Sequence, residues 1–401
     1  MTKQPWKTHN WFVSQWNYAD EVRKDFKFAK QIKIHDITLR DGEQQTGIIL
    51  SKDDKIRIAE ALAEAGVHRI EAGMPIVSPS DAEAIKEIAR RNLGPQIFAF
   101  SRCMKEDVQR AIDTGVNGVV MEIPSSQHMV DLAYKWPMEK AIETSIEATL
   151  FAKKNGLEVV FFPIDFSRSE MNWVLSLINR VATEGHMDAL ALVDTFGVVS
   201  PHAMQYFVRE VKKRINKRLE AHFHQDFGMG VANTIMAAAE GVEVLHTTVL
   251  GVGERAGNTP MDLLLVNLKL MGWIDNDLSR LGAYCRAVSD AVEMPIPVSY
   301  PVFGKDAFET GTGVHASAVI KAMKKGDAWL ANRVYSGVPS DLFGLSQKIA
   351  IGPMSGKSNV EFWLEQRSIA KSDALVDSIL AKAKGSRQML TDEQIMELVK
   401  T

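Results

Sequence analysis

Residues 32–73 read IKIHDITLRDGEQQTGIILSKDDKIRIAEALAEAGVHRIEAG. A short β-branched run, IKIHDI (32–37), is followed by a polar loop, a helical pattern and a second short run, HRIEAG (68–73). In SKDDKIRIAEALAEAGV, Ser51 is a natural N-cap with Asp54 three residues on. Ile56, Ala59, Leu62 and Ala63 fall on one face of the helix that follows. The stretch is therefore one strand, one helix and the start of the next strand.

The same rhythm continues through QIFAFS (96–101), GVVMEI (118–123), LEVVFFP (157–163), DALALV (188–193), LEAHFH (219–224) and EVLHTTVLG (243–251). That makes eight β-then-α units in a stretch of the length that a (β/α)8 TIM barrel needs. A doubly wound sheet is the structural alternative, but it rarely uses eight units of such even spacing. The expected class is α/β, a barrel over residues 31–275. After MDLLLVNLKLMGW (261–273) the rhythm changes, and residues 276–401 read as a mainly helical appended module. Residues 1–30 form an N-terminal extension with Trp6, Trp11 and Trp16, expected to pack on the barrel or on a partner subunit.

Bulk properties narrow the function. Hydrophobic residues are 46% and charged residues 24% of the chain, which suits a folded globular protein. The formal net charge is −3 with no charged block, so nucleic acid and anionic membrane are not expected partners. The start of the chain lacks the apolar core of a signal peptide, and no apolar run reaches the length of a membrane span. Two cysteines, Cys103 and Cys285, give no disulfide framework. A cytoplasmic protein is expected.

A barrel enzyme works at the C-terminal ends of its strands. Strand one leads there into Thr38, Arg40, Asp41 and Gln44; strand two ends at Glu71. Strand four leads into Ser125, Ser126 and His128, strand five into Asp165, and strand six into Asp194 and Thr195. Strand seven carries His222 and His224, and strand eight leads into GVGERAGN, ending at Asn258.

His222 and His224 are two apart, so in a strand both point to one face. They can share one divalent metal with a carboxylate such as Asp41 across the mouth, or they can be rim histidines bonded locally. Arg40 is either a surface ion-pair residue or a cation fixed beside a developing oxyanion. Glu43, Asp226 and Glu254 are either groups that orient ligands or plain loop charges.

Three segments, HDITLRDGEQ (35–44), AHFHQDFGMGVANT (221–234) and GVGERAGNTP (251–260), resemble the metal-dependent barrel family of isopropylmalate, homocitrate and citramalate synthases. RIEAGMPIVSPSD (69–81), LVDTFG (192–197) and DAFETGTGVHASAVIKA (306–322) extend the resemblance. It implies a Claisen-type condensation of acetyl-CoA with a 2-oxo acid at a divalent metal (Mn²⁺, Mg²⁺ or Zn²⁺). Asp41, His222, His224 and Asn258 would lie at the metal. Arg40 would polarise the keto oxygen, and Gln44, Glu71, His128 and Thr195 would line the 2-oxo acid site. His315 would be the base, in a module that completes the active site, with Tyr335 beside it. A homodimer is implied.

The chain also departs from the family pattern. Gln225 stands where the family has asparagine, and Ile164 where a glutamate is expected. Val160 and Phe162 replace polar residues of the lysine-pathway homocitrate synthases, which points away from that substrate. The 2-oxo acid is expected to carry an apolar side chain or to be a different acid altogether. The leucine-regulatory domain of long isopropylmalate synthases follows the appended module, and the sequence here runs to Thr401, so leucine feedback is not expected. The related hydroxymethylglutaryl-CoA lyases carry a cysteine in the loop that reads GVGERAG here, and no cysteine lies between Cys103 and Cys285. A barrel kept only as a binding scaffold is the non-enzymatic alternative.

Overall fold

The computed structural model describes residues 4–400. Eight parallel strands close into a barrel: β1 Lys33–Asp36, β2 Arg69–Glu71, β3 Gln96–Arg102, β4 Gly118–Pro124, β5 Glu158–Ile164, β6 Ala189–Asp194, β7 Arg218–Phe223 and β8 Val244–Thr247. The pairing of β8 with β1, Lys33 opposite Val244 through Asp36 opposite Thr247, shuts the sheet and rules out an open doubly wound arrangement. All eight strands lie on the apolar runs of the sequence, five of them reaching one residue beyond the run at one end. In a closed barrel covered by helices both strand faces are buried, so the strands read as continuous apolar runs.

The helices follow the strands in turn: α1 Lys52–Glu64, α2 Pro79–Arg90, α3 Lys105–Thr114, α4 Met138–Lys154, α5 Met171–Glu184, α6 Pro201–Arg214, α7 Gly230–Ala239 and α8 Met261–Leu270. The Ser51 side chain caps α1 by accepting from Asp54 N at 3.1 Å, and Asp54 Oδ2 accepts from Ser51 N at 3.1 Å. The buried face of α1 carries Ile56, Ile58, Ala59 and Leu62; Ala63 is only half-buried. The eighth run ends sooner than its sequence suggests. The strand stops at Thr247, and a tight turn over Val249–Gly251 puts Leu250 at φ 54°.

By contact the chain divides into two compact units, one of them Asp20–Pro295. This unit therefore includes helix α9 (Leu281–Ala291) as well as the barrel. The other unit joins residues through Ala19 to the chain from Ile296 onward. In that second unit Trp329 Nε1 donates to Thr8 O at 2.9 Å, and Arg333 Nη2 to Asn10 O at 2.9 Å. Phe12 stacks on Trp329, while Trp16 is exposed. Helices α10 (Gly313–Lys324), α11 (Lys357–Gln366), α12 (Asp373–Gly385) and α13 (Asp392–Lys400) complete it, around Val360, Trp363, Leu364, Ile379 and Ile395. No helix of the described residues is long and apolar enough to cross a membrane.

The barrel interior is unusually polar. His35, Glu71, Glu220 and His246 are buried there, together with Arg69. Barrel interiors are commonly filled by branched apolar side chains, so these charges need partners. Arg69 supplies one, donating to Glu220 Oε1 at 2.8 Å and Glu158 Oε1 at 2.6 Å.

Candidate active site

The loop after β1 is wound tightly at the barrel mouth. The amides of Arg40, Asp41 and Gly42 all donate to Ile37 O, at 3.1, 2.8 and 3.3 Å. This turn lifts Asp41 over the strand ends. On β7 and the residue beyond it, His222 and His224 share a face, and His224 N donates to Asp194 O at 3.1 Å. Asn258 bridges to His224 across the loop after β8. That loop needs glycine at 253, because a Cβ there would lie 1.9 Å from Asn258 Oδ1.

These turns bring three side chains together. Asp41 Oδ2 lies 3.5 Å from His222 Nε2 and 3.8 Å from His224 Nε2. One ligating atom from each residue falls within 4.8 Å of the other two, and all three side chains are buried. Asn258 Nδ2 is 3.4 Å from His224 Nε2. Asp41 Oδ1, His222 Nδ1, His224 Nδ1 and Asn258 Oδ1 have no protein hydrogen-bond partner. Buried polar atoms of this kind cost free energy unless something binds them. Burial, then the neighbouring His224, pulls the His222 imidazole well below its usual range. Burial also lowers His224. Both rings are thus neutral at physiological pH, the form in which imidazole binds metal. Two neutral imidazoles and a carboxylate, with an amide oxygen nearby, fit a divalent cation.

Arg40 borders this cluster. Its Nη1 donates to Asp41 Oδ2 at 2.8 Å and to Gln44 Oε1 at 3.0 Å, and its Nε donates to Glu71 Oε1. The guanidinium carbon sits 4.0 Å from the centroid of the Phe100 ring. Nη2 is buried without a partner. Of the residues singled out in the sequence, Arg40, Asp41, Gln44, Glu71, His222, His224 and Asn258 thus form one contiguous network.

His128 and Thr195 belong to a second group at the ends of β4 to β6. His128 Nε2 lies 2.9 Å from Asp165 Oδ2 and 3.1 Å from Arg168 Nη2. Thr195 Oγ1 accepts from Asp165 N at 2.7 Å. Asp165 is buried at φ 64°, a strained setting of a type that clusters at functional sites. Arg168 and Arg255 lie over the Phe196 ring, at 3.8 and 5.1 Å.

The sequence did not single out Arg168, Arg255 or Glu122. The only clue to Arg168 is its place three residues after Asp165. Glu122, two residues beyond Val120 on β4, is driven up to about 7 by burial. The three loop acids weighed as ligand-orienting groups have other partners: Asp226 and Glu254 pair with Arg255 at 3.0 and 3.3 Å, and Glu43 with Lys55 at 2.6 Å. Phe162 packs edge-on against His222, with ring centroids 4.7 Å apart, so apolar surface adjoins the cluster on this side.

His315 and Tyr335 lie in the second compact unit. Their rings stack with centroids 4.3 Å apart and planes 28° from parallel.

Residues 31–290 match the HMGL-like family. The chain is 32% identical over 388 residues to a homocitrate synthase of Methanopyrus kandleri, covering 96% of this chain and 95% of that one. It is 33% identical to a "Probable 2-isopropylmalate synthase" of Ignicoccus hospitalis, covering 92% of both chains. To an (R)-citramalate synthase of Methanocaldococcus jannaschii it is 31% identical, covering 88% of this chain and 70% of that one. Among solved structures, the HMG-CoA lyase of Bacillus subtilis superposes with a TM-score of 0.60 at 20% identity, over 67% of this chain and 96% of that one, a likeness of fold. By the extent of these matches, the chain belongs to the HMGL-like family.

Proposed function

We propose that the protein condenses acetyl-CoA with a 2-oxo acid, in the manner of a 2-isopropylmalate synthase. The products are a 2-hydroxy dicarboxylate or tricarboxylate and free CoA. Its relatives carry the names of homocitrate, 2-isopropylmalate and (R)-citramalate synthases. Homocitrate, citramalate, Re-type citrate and phosphonomethylmalate synthesis are the alternatives within this chemistry. The observation that carries the reading is the buried Asp41–His222–His224 cluster with Arg40 bonded to its carboxylate.

Asp41, His222, His224 and Asn258 would hold a divalent metal: Mn²⁺, Mg²⁺ or Zn²⁺. That ion, when bound, supplies a Lewis acid for the 2-oxo acid. Arg40 directs its free Nη2 to the keto oxygen. Charge grows on that oxygen as the new bond forms, so Arg40 favours the transition state over the ground state. Gln44, Glu71, His128 and Thr195 line the 2-oxo acid site. His315 takes a proton from the methyl group of acetyl-CoA, with Tyr335 stacked beside it. The resulting carbanion adds to the keto carbon, the former keto oxygen takes a proton, and water then cleaves the thioester to release CoA. We further propose that the module carrying His315 completes the site, in a cytoplasmic homodimer.

The test is a panel of pyruvate, 2-oxoisovalerate, oxaloacetate, 2-oxoglutarate and phosphonopyruvate, each with acetyl-CoA and Mn²⁺ or Mg²⁺, followed by thiol release. Turnover of at least one acid, lost in His222→Ala, is expected. No thiol release with any of them would end the synthase reading.

A further inference from the structure

The buried charges below the barrel mouth ask for an explanation. Glu71 and Glu220 are fully buried carboxylates, and both face the His35 ring. His35 Nε2 lies 3.3 Å from Glu71 Oε2, and His35 Nδ1 lies 4.0 Å from Glu220 Oε2. Glu220 is already balanced, by Arg69 Nη1 at 2.8 Å and His246 Nε2 at 3.0 Å. Glu71 has the Arg40 guanidinium as its cation.

From this geometry we infer that His35 is a positioning residue for Arg40, acting through Glu71. The inference deepens the condensation reading, on which it rests for the role of Arg40. A carboxylate held by one oxygen can still turn about its last bond. Here Oε1 accepts from Arg40 Nε, while Oε2 lies 3.3 Å from His35 Nε2, a buried contact without hydrogen-bond alignment that leaves this oxygen no other neighbour to turn to. The His35 ring cannot swing away. It packs edge-on against Phe98, with centroids 5.2 Å apart, and against the His246 ring at 4.4 Å. With Glu71 fixed, the guanidinium is held along Nε by Glu71, along Nη1 by Asp41 and Gln44, and on one face by Phe100. Nη2 alone is left without a partner.

The charge states suit this role. Burial pulls His35 down to about 4, so the ring is neutral at physiological pH and can turn an N–H towards Glu71. Burial opposes ionisation of Glu71, but Arg40 and His35 hold its carboxyl down to about 2. His35, Glu220 and His246 are also close enough together to suggest an ion cage. Arg69 beside Glu220 already supplies the positive charge, and a second cation there would be repelled.

The first test variant is His35→Phe, which keeps a flat ring but has no group to face Glu71. Replacing buried polar groups by apolar ones of similar volume often leaves a fold intact. We expect a folded protein with the parent's metal content. KM for the 2-oxo acid should change little, and kcat should fall by about tenfold or more, because small misplacements of a catalytic group are costly. His35→Gln, which can still reach Glu71 with a donor, is expected to recover much of that loss, whereas the shorter His35→Asn should not. In a Glu71→Gln background, His35→Phe should have no further effect on kcat. The inference is overturned by a folded His35→Phe that keeps the parent kcat, or by the same loss in the Glu71→Gln background. It is also overturned by two bound metals per chain in the parent and one in His35→Phe. If His35→Phe does not fold, the Gln and Asn variants decide in the same terms. A crystal structure of the folded variant gives a readout without turnover: Arg40 Nε should have left Glu71, and an unmoved Arg40 counts against the inference. If the parent turns over no 2-oxo acid, the condensation reading fails alone, and this structural comparison still decides.

Discussion

Arg40 Nη1 donates to Asp41 Oδ2 at 2.8 Å, and the same oxygen lies 3.5 Å from His222 Nε2. One carboxylate oxygen thus joins the guanidinium to the histidine cluster. A fixed cation and a candidate metal site stand side by side, where they can act on one substrate oxygen.

Arg40→Lys keeps the charge but loses the fork that reaches Glu71, Asp41 and Gln44 together. Loss of one preorganised donor to a developing oxyanion commonly lowers kcat by about 10²–10³-fold. We expect a fall of that order in thiol release, with metal content unchanged. A kcat within threefold of the parent would show that Arg40 does not serve the transition state.

Gly253→Ala tests the loop that carries Asn258. The new methyl group would stand 1.9 Å from Asn258 Oδ1, so the amide has to move away from His224. The expected result is weaker metal retention on dialysis in a protein that still folds. Parent-like retention would take Asn258 out of the metal site.

Much of this arrangement was legible in the sequence. The strands showed because each is buried on both faces and bounded by helical patterns. The metal candidates showed because residues two apart in a strand share a face, as His222 and His224 do. The ionic interior did not show. Arg69 and Glu220 are 151 positions apart, and nothing local to either names the other. The end of β8 was misjudged because TTVLG is as β-branched as a strand, while Leu250 in fact turns at φ 54°. Arg168 and Arg255 were missed because loop conformation, not spacing, brings both over Phe196.

Asp36 offers a test by pH. Burial drives its carboxyl from the ordinary range up to about 7, although Thr38 N and Tyr284 OH both donate to it. Between about pH 4 and 7 the folded state therefore holds a proton that the unfolded chain has lost. This group makes stability fall as pH rises through that window. Asp36→Asn removes the effect. The variant is expected to gain on the parent between pH 4 and 7, by an amount on the order of a few kcal/mol, and to keep that gain above pH 7. Urea midpoints across the range measure it. Parallel profiles for the two proteins would mean that Asp36 is ionised in the fold at all these pH values.

His315 is exposed, so its removal costs little stability. His315→Ala is expected to fold normally, to lose exchange of the acetyl-CoA methyl protons with deuterated water, and to lose kcat with it. Exchange at the parent rate would place the base elsewhere.

The central claim is that Asp41, His222 and His224 hold one divalent metal at the barrel mouth. The most direct measurement is calorimetric titration of chelator-treated protein with Mn²⁺, for the parent and for His222→Ala. We expect one site per chain in the parent and affinity weakened at least about a hundredfold in the variant. An unchanged isotherm in a folded His222→Ala protein would contradict the assignment.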